Sequence, residues 1–508
     1  MSNFRRGSFC IAAVILSLIL FSLTACLSRN DTSNAQARNT AAGTVIVLEK
    51  KELTLTIGAS EKLNYTINPP HNTNSPVEWT SSAPLVASVS SDGTVTALAF
   101  TGGGTGRFVS GPATGTAIIT ARMTDGRFED SITVTTTTAA QVDMETLPPL
   151  KDQFSRYFMM GNIFNPRDVN SGGTAVTCTR LIRHFNVLTH ENDMKPRNLA
   201  PERSGRTIHF NFTTADRMVN AAIASGFKVH GHTLLWHSQI PLWQQDMANE
   251  SRETALAAMR DYITGVARHF AGRVYSWDVL NEAFPDNAPS NADWKNAMRR
   301  GTGGEGQGAN PWYVAIGSDF VYEGFLAARL ADPNAILYYN DYNTDNPNRA
   351  RLIRDMVLEV NARYKAAFPN ETRLLIEGIG MQEHHNTGVP SSRVRATIDM
   401  FRPLGVILAV SELDVLGQSW NSFSSGTGSG THNDDISTVT NLGIIDQARL
   451  YGEYFRVYLD NADIIERVSM WGVLDPNSWR SGGLPLLFDY EGRAKPAYYR
   501  VIAALEIR

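Results

Sequence analysis

Between Val45 and Val134 apolar and polar positions alternate at period two, most clearly in Leu53-Thr-Leu-Thr-Ile57. Val77-Glu-Trp-Thr80 follows a loop rich in proline and asparagine, and Thr116-Ala-Ile-Ile-Thr-Ala121 and Ser131-Ile-Thr-Val-Thr135 continue the pattern. Such alternation turns one face of each segment to a core and the other to water. Ser91-Asp-Gly-Thr-Val95 carries the Asp-Gly signal of a tight hairpin. Short strands with turns about every ten residues predict an all-β immunoglobulin-like sandwich over residues 45–137. No chemistry is visible in it, so a spacer is its expected role.

Beyond a linker at 138–147 the period changes. Eight short apolar runs follow, at Phe158–Ile163, Val187–Glu191, Lys228–Leu235, Val274–Leu280, Ala335–Tyr339, Leu374–Met381, Val406–Val410 and Arg467–Val473. Helical patterns separate them, among them Arg252–Phe270, Val314–Leu330, Arg349–Phe368 and Asp446–Leu459. Eight βα repeats predict an α/β fold in which residues 148–508 close a TIM (β/α)8 barrel. An open, doubly wound sheet is the runner-up, but the glycine-rich phosphate loop that usually marks one is missing.

The N-terminus changes the picture of where this protein works. Arg5 and Arg6 precede an apolar run from Phe9 to Leu23, too short for a confident membrane span, so residues 1–25 are expected to be an export signal. Leu23-Thr-Ala-Cys26 resembles the bacterial lipoprotein cleavage box, which implies lipidation of Cys26 and a membrane anchor. Residues 26–44 are then a polar, flexible tether. Leu27 after that cysteine leans towards the outer membrane. Apart from Cys26, taken up by the lipid, only Cys178 lies outside the leader, so disulfides cannot staple the fold, and zinc-type Cys/His spacings are lacking. A net charge of -4 gives no sign of a nucleic-acid partner. No cofactor and no partner subunit is expected.

Candidate chemistry gathers where the apolar runs end. Run two ends at Glu191 and Asn192, with Lys195 behind; run three holds His232 and leads to Trp236 and Gln239. Run four ends at Asn281 and Glu282, run five at Asn340-Asp-Tyr342, and run six at Gln382 and His384. Run seven ends at Glu412 and Asp414, and run eight at Trp471, with Trp479 close behind. Active sites of such barrels sit at the C-terminal strand ends. Amides, carboxylates and imidazoles suit sugar hydroxyls, while indoles suit the flat C–H faces of pyranose rings. A carboxylate at the end of a buried strand is costly unless it is used or paired. Two of them, Glu282 and Glu412, suit cleavage of a glycosidic bond between paired acids. The plain alternative is a pair of strand-end salt bridges.

Residues 147–508 resemble glycoside hydrolase family 10, the endo-β-1,4-xylanases. The motifs are Glu191-Asn-Asp-Met-Lys195, Gly231-His-Thr-Leu-Leu-Trp-His-Ser-Gln239, Trp277-Asp-Val-Leu-Asn-Glu-Ala283, Tyr339-Asn-Asp-Tyr-Asn343, Gly378-Ile-Gly-Met-Gln382, Ser411-Glu-Leu-Asp414 and Trp471-Gly-Val-Leu-Asp475. The resemblance implies that Glu282 is the acid/base and Glu412 the nucleophile of a retaining hydrolase acting on xylan or xylo-oligosaccharides. It implies that His384 bonds the nucleophile, that Asp414 orients His384, and that Asn281 binds the hydroxyl beside the reacting carbon. Glu191, Asn192, Lys195, His232, Trp236, Gln239 and Gln382 carry over as glycone-side binders. Trp471 and Trp479 wall the reacting sugar, and Tyr342 stacks one on the leaving-group side. Strands four and seven are expected to face each other across the mouth. The first domain resembles the bacterial immunoglobulin-like group 2 module in Trp79-Thr-Ser-Ser82, Val86-Ala-Ser-Val89 and Asp92-Gly-Thr-Val95.

Departures are few. Glu383 stands where the family has a small residue and is expected to add charge near the leaving-group subsites. Glycine-rich stretches at Thr101–Pro112, Gly301–Asn310 and Ser422–Asn433 are insertions. Three rivals remain open. His230-Gly-His232 imitates the paired ligands of metal-dependent amidohydrolases, although there the pair lies on the first strand. A catalytically idle carbohydrate-binding lipoprotein is the second, and a cellulase-like barrel glycosidase is the third.

Overall fold

The computed structural model describes residues 45–505 apart from 57–58, 69–75, 85, 98–114, 125–127, 138–142, 301–307, 419–438 and 440. The expected signal, Cys26, the tether, the 101–112 and 422–433 insertions and most of 301–310 lie outside the described residues.

The N-terminal module is all-β. Glu52–Thr56, Glu129–Thr137, Gly115–Met123 and Val77–Ser81 form one sheet in that order, and Ser60–Lys62, Thr94–Ala97 and Ala87–Val89 form another. Val45–Leu48 pairs antiparallel with Tyr65–Asn68. The period-two pattern becomes burial directly: Ala117, Ile119, Ala121 and Met123 are buried along one strand, and Ile132 and Val134 along its neighbour. At the Asp92-Gly93 turn, Gly93 has φ +85°, and a Cβ there would come within 2.7 Å of the Trp79 ring. Only glycine satisfies both demands.

The second module is a closed barrel of eight parallel strands. These are β1 (Met159–Phe164), β2 (Val187–His190), β3 (Lys228–Leu235), β4 (Ser276–Asn281), β5 (Ile336–Asp341), β6 (Gly378–Met381), β7 (Ile407–Val415) and β8 (Ile465–Met470). Each pairs with the next, and β8 pairs back with β1. Closure leaves no sheet edge.

Strand ends shift from their expected places in ways that matter. The sixth run contributes only Gly378–Met381. The seventh extends to Val415, so Glu412 and Asp414 lie within the strand. The β7–β8 register shifts between Val410 and Leu413, an irregularity of the kind that re-aims side chains beside active sites. Strands β4 and β7 are not opposed across the mouth; β5 and β6 lie between them.

Helices largely follow the predicted periods. Arg252–Phe270 is one helix, capped where Ser251 Oγ accepts from Thr254 N. The stretch expected as Val314–Leu330 is instead two helices, Pro311–Ile316 and Asp319–Ala331. Gly317, at φ +76°, ends the first.

Candidate active site

Glu282 is the first residue past β4, in the left-handed region at φ 54°. Its N–H donates to Asn340 O at 2.9 Å, and its carbonyl accepts from Arg299 Nε at 2.8 Å. That clamp holds a backbone conformation that glutamate seldom adopts. The carboxyl accepts from Trp236 Nε1 at Oε2 and from Gln382 Nε2 at Oε1, both at 2.9 Å. His237 Nδ1 stands 4.0 Å from Oε2. Burial pushes the Glu282 pKa up. The His237 ring, the Gln382 and Trp236 donors and the Arg299 charge outweigh it, and the group titrates below the ordinary carboxylate range. Burial lowers His237 itself to about 4.

Glu412 is buried within β7. Asn340 Nδ2 donates to its Oε1 at 2.8 Å, and His384 Nε2 lies 3.2 Å from its Oε2. Ser411 Oγ donates to Asn340 Oδ1 at 2.6 Å, which leaves the Asn340 amide nitrogen facing both Glu412 and Asn281 Oδ1. Gln382 Nε2 also reaches Asn281 Oδ1, at 3.2 Å. A chain of side chains therefore runs from Glu282 through Gln382, Asn281 and Asn340 to Glu412, filling the gap left by the two intervening strands.

His384 lies on a two-residue strand, His384–His385, that pairs with the end of β7, His384 opposite Asp414. Its Nδ1 is 3.0 Å from Asp414 Oδ2. Burial disfavours the imidazolium, but the two carboxylates prevail and raise the pKa to about 9. At neutral pH the ring is a cation between Glu412 and Asp414. Asp414, fully buried, also accepts from Arg480 Nη1 at 2.6 Å and Trp479 Nε1 at 2.9 Å. Burial raises its pKa, and His384 and Arg480 bring it below the ordinary value.

The remaining candidates line the same rim. Lys195 Nζ donates to Asn192 Oδ1 at 3.0 Å and lies 5.1 Å over the Trp236 ring. Burial lowers its pKa, against the pull of Glu412, Glu191 and Glu282. Glu191 and Gln239 are half-buried at the ends of β2 and β3, Gln239 with φ 48°. The His232 ring is edge-on to Trp471 at 5.6 Å and tilted against Trp236 at 6.3 Å. Trp479, 41% exposed, packs edge-on against His384 at 5.0 Å. Tyr342 is less free than expected: Arg349 covers one ring face at 4.2 Å, and the hydroxyl accepts from Arg299 Nη2 at 2.8 Å. At most one face remains for a sugar.

One expectation fails here. Glu383 adds no charge to the leaving-group side; its carboxyl is buried, receiving Thr344 Oγ1 at 3.1 Å and Tyr458 OH at 3.3 Å, with His385 Nε2 at 2.6 Å. The backbone there has φ 59°. Asp475, at the end of the eighth motif, pairs with buried Lys495 at 3.0 Å. The histidines of His230-Gly-His232 both turn to Asp278, at 3.0 and 2.9 Å, and His230 also meets Ser276. Among the described residues no group of three or more His, Cys, Asp or Glu is placed to hold a metal ion.

Asn340 was expected at the rim without a role of its own, and the site contacts of Arg480, His237 and Arg299 were not assigned from the sequence. Arg480 and Arg299 sit in loops whose path no period predicts.

A family model described as glycosyl hydrolase family 10 matches residues 149–504, and one described as a bacterial Ig-like domain (group 2) matches residues 42–134. An endo-1,4-beta-xylanase of Geobacillus stearothermophilus is 34% identical over 368 residues, 70% of this chain and 98% of the relative. Endo-1,4-beta-xylanase A of Thermotoga neapolitana is 32% identical over 389 residues, 74% of this chain; the chain spans about a third of that relative (33%). The crystal structure of a bacterial Ig-like domain containing GH10 xylanase from termite gut is 53% identical, with a TM-score of 0.72, and covers 90% of this chain and 98% of its own.

Proposed function

The chain belongs to glycosyl hydrolase family 10, and from that premise we propose that it is a retaining endo-1,4-β-xylanase cutting internal bonds of xylan. The observation that carries this proposal is the linked pair of carboxyls. Each has its own donors, and four side-chain hydrogen bonds join them.

In the first step a Glu412 oxygen attacks the anomeric carbon as the bond to the leaving oxygen breaks, and Glu282 gives that oxygen its proton. In the second, Glu282 takes a proton from water, whose oxygen displaces Glu412 and releases the sugar. Cationic His384 and the Asn340 amide hold Glu412 as the ionised attacking group. Glu282 needs its proton only in the first step. A sugar in the cleft removes water and leaves the Glu412 charge as its neighbour, both of which raise the Glu282 pKa; glycosylation removes that charge and lowers it again. The Lys195, Asn192 and Gln239 cluster is the glycone-side hydroxyl binder, and Trp236, Trp471 and Trp479 form the aromatic wall.

Product analysis on xylan for wild type, Glu282→Ala and Glu412→Ala tests the assignment. Short xylo-oligosaccharides from wild type alone support it, and binding without cleavage by wild type contradicts it. A pocket shaped for a pentose excludes the hydroxymethyl group of glucose, so xylan is expected to turn over well ahead of carboxymethylcellulose; equal turnover refutes the preference.

The protein acts, in this proposal, as a monomer exported and lipid-anchored through Cys26, with the Ig-like module as a spacer. Labelled palmitate entering wild type but not Cys26→Ser checks the anchor.

A further inference from the structure

Three consecutive residues after β6 divide the site between them. Gln382 bonds Glu282, and His384 bonds Glu412. Glu383, between them, touches neither. Its carboxyl is buried behind the rim, where it collects two hydroxyl donors from two other segments, Thr344 beyond β5 and Tyr458 on the helix Asn441–Asp460, and the imidazole of nearby His385. A carboxylate is an acceptor at both oxygens, so it matches this set of partners. The anchor extends further. Thr397 Oγ1 donates to Thr344 O, and the His385 ring packs 5.0 Å from Tyr454 on the same helix as Tyr458.

The backbone of the tripeptide is also the ruler against which β7 is set. Glu412 N donates to Gln382 O at 3.1 Å, and Asp414 N reaches Glu383 O at 3.4 Å. Arg480 Nη1 joins His385 O to Asp414 Oδ1. At residue 383 the chain adopts φ 59° without glycine. Such a conformation persists only where the surroundings over-determine it. Gln382 and His384 both reach the cleft, while the carboxyl of the residue between them points away to Thr344 and Tyr458.

We propose that Glu383 is a positioning residue: its buried carboxyl, tied to Thr344, Tyr458 and His385, fixes Gln382 relative to His384 and so sets the placement of Glu282 relative to Glu412. The inference rests on the retaining-xylanase proposal. It gives this buried carboxyl a task that a small side chain, with no acceptor for Thr344, Tyr458 and His385, cannot perform.

The test uses the full chain and two substrates, 2,4-dinitrophenyl β-xylobioside, whose leaving group needs no proton, and xylohexaose, whose leaving group does. Glu383→Ala and Glu383→Gly are expected to lose about 10- to 100-fold in kcat on xylohexaose, the cost of a misplacement of roughly 1 Å. KM stays within about threefold of wild type, and the loss on the activated substrate is smaller. Glycine removes the backbone strain and the anchor together, so its failure to restore kcat separates anchoring from conformational tolerance. Glu383→Gln keeps an acceptor for His385 and Tyr458 while the Thr344 hydroxyl reverses its role, and it is expected to retain most of kcat. If the alanine and glycine variants do not fold, the milder pair Thr344→Val and Tyr458→Phe, combined, decides on the same readouts. Folded variants with wild-type kcat on both substrates, or with a loss confined to KM, overturn the proposal. Wild type that cleaves neither substrate overturns the xylanase assignment instead.

Discussion

The sandwich and the barrel rim are built from the same chain by opposite habits. In the sandwich, alternation becomes burial residue by residue; Ile119 and Val134 are fully buried, and charged pairs such as Arg122–Glu129 stay at the surface. Among the described residues, its left-handed backbone is confined to Gly93. At the rim, Gln239, Glu282, Asn343 and Glu383 all adopt left-handed backbone with full side chains, each just past a strand. Asp414, Asp341 and Glu412 are buried there as well. The sandwich obeys local rules and offers no visible chemistry. The rim breaks them where two carboxyls must be aimed, and the surrounding barrel holds the strain.

The sharpest way to break this contrast is to remove the acids themselves. Glu412→Ala and Glu282→Ala are each expected to lower kcat on xylan by at least about 10⁴-fold, the scale on which covalent machinery fails when one member is lost. Added azide is expected to restore turnover on an activated aryl xyloside, as an α-glycosyl azide from the first variant and a β-glycosyl azide from the second. Full activity in either variant would remove the assignment.

A smaller effect lies one layer out. Asp414→Asn keeps the shape but removes the charge that Arg480, Trp479 and His384 share. A loss of about 10- to 100-fold in kcat/KM is expected from a loosened His384, measured on xylohexaose.

The same layer has a pH signature. The His384 pKa rises from its ordinary 6.5 to about 9 in the fold. A group raised in this way gives its full stabilisation below the lower value and loses it as pH climbs through the higher one. Thermal unfolding temperature is therefore expected to fall between about pH 6.5 and 9 in wild type, less so in His384→Gln. A flat profile in wild type denies the cationic ring.

The least effect on catalysis is expected from the sandwich. Ile119→Ala opens a cavity at a fully buried site and is expected to cost that module about 2–5 kcal/mol in denaturant unfolding. Its kcat on xylohexaose should match wild type. A parallel loss of activity would show that the two regions are not independent.

Legibility in the sequence followed the same divide. The eight strands and most helices were readable, because apolar period reports burial and burial builds the barrel. The polar residue at each strand end was readable for the same reason: it interrupts a pattern. Geometry that depends on φ or on register was not. Nothing in the order of residues announces that Glu383 turns inward, that β7 runs on past Glu412, or that Asn340 and Gln382 span the gap between β4 and β7. Loop partners such as Arg299 and Arg480 were equally silent, since their positions are set by packing rather than by periodicity. Gly317 divided a helix that hydropathy alone runs together.

In the proposed mechanism Glu282 and Glu412 act on one glycosidic bond, close enough for direct attack by Glu412 on the glycosyl carbon. Proton NMR of wild type acting on xylohexaose, recorded before mutarotation, tests it most directly. The first new reducing end is expected to be the β-anomer. Initial release of the α-anomer would contradict it, because inversion requires carboxyls spaced for an intervening water rather than for a covalent bond.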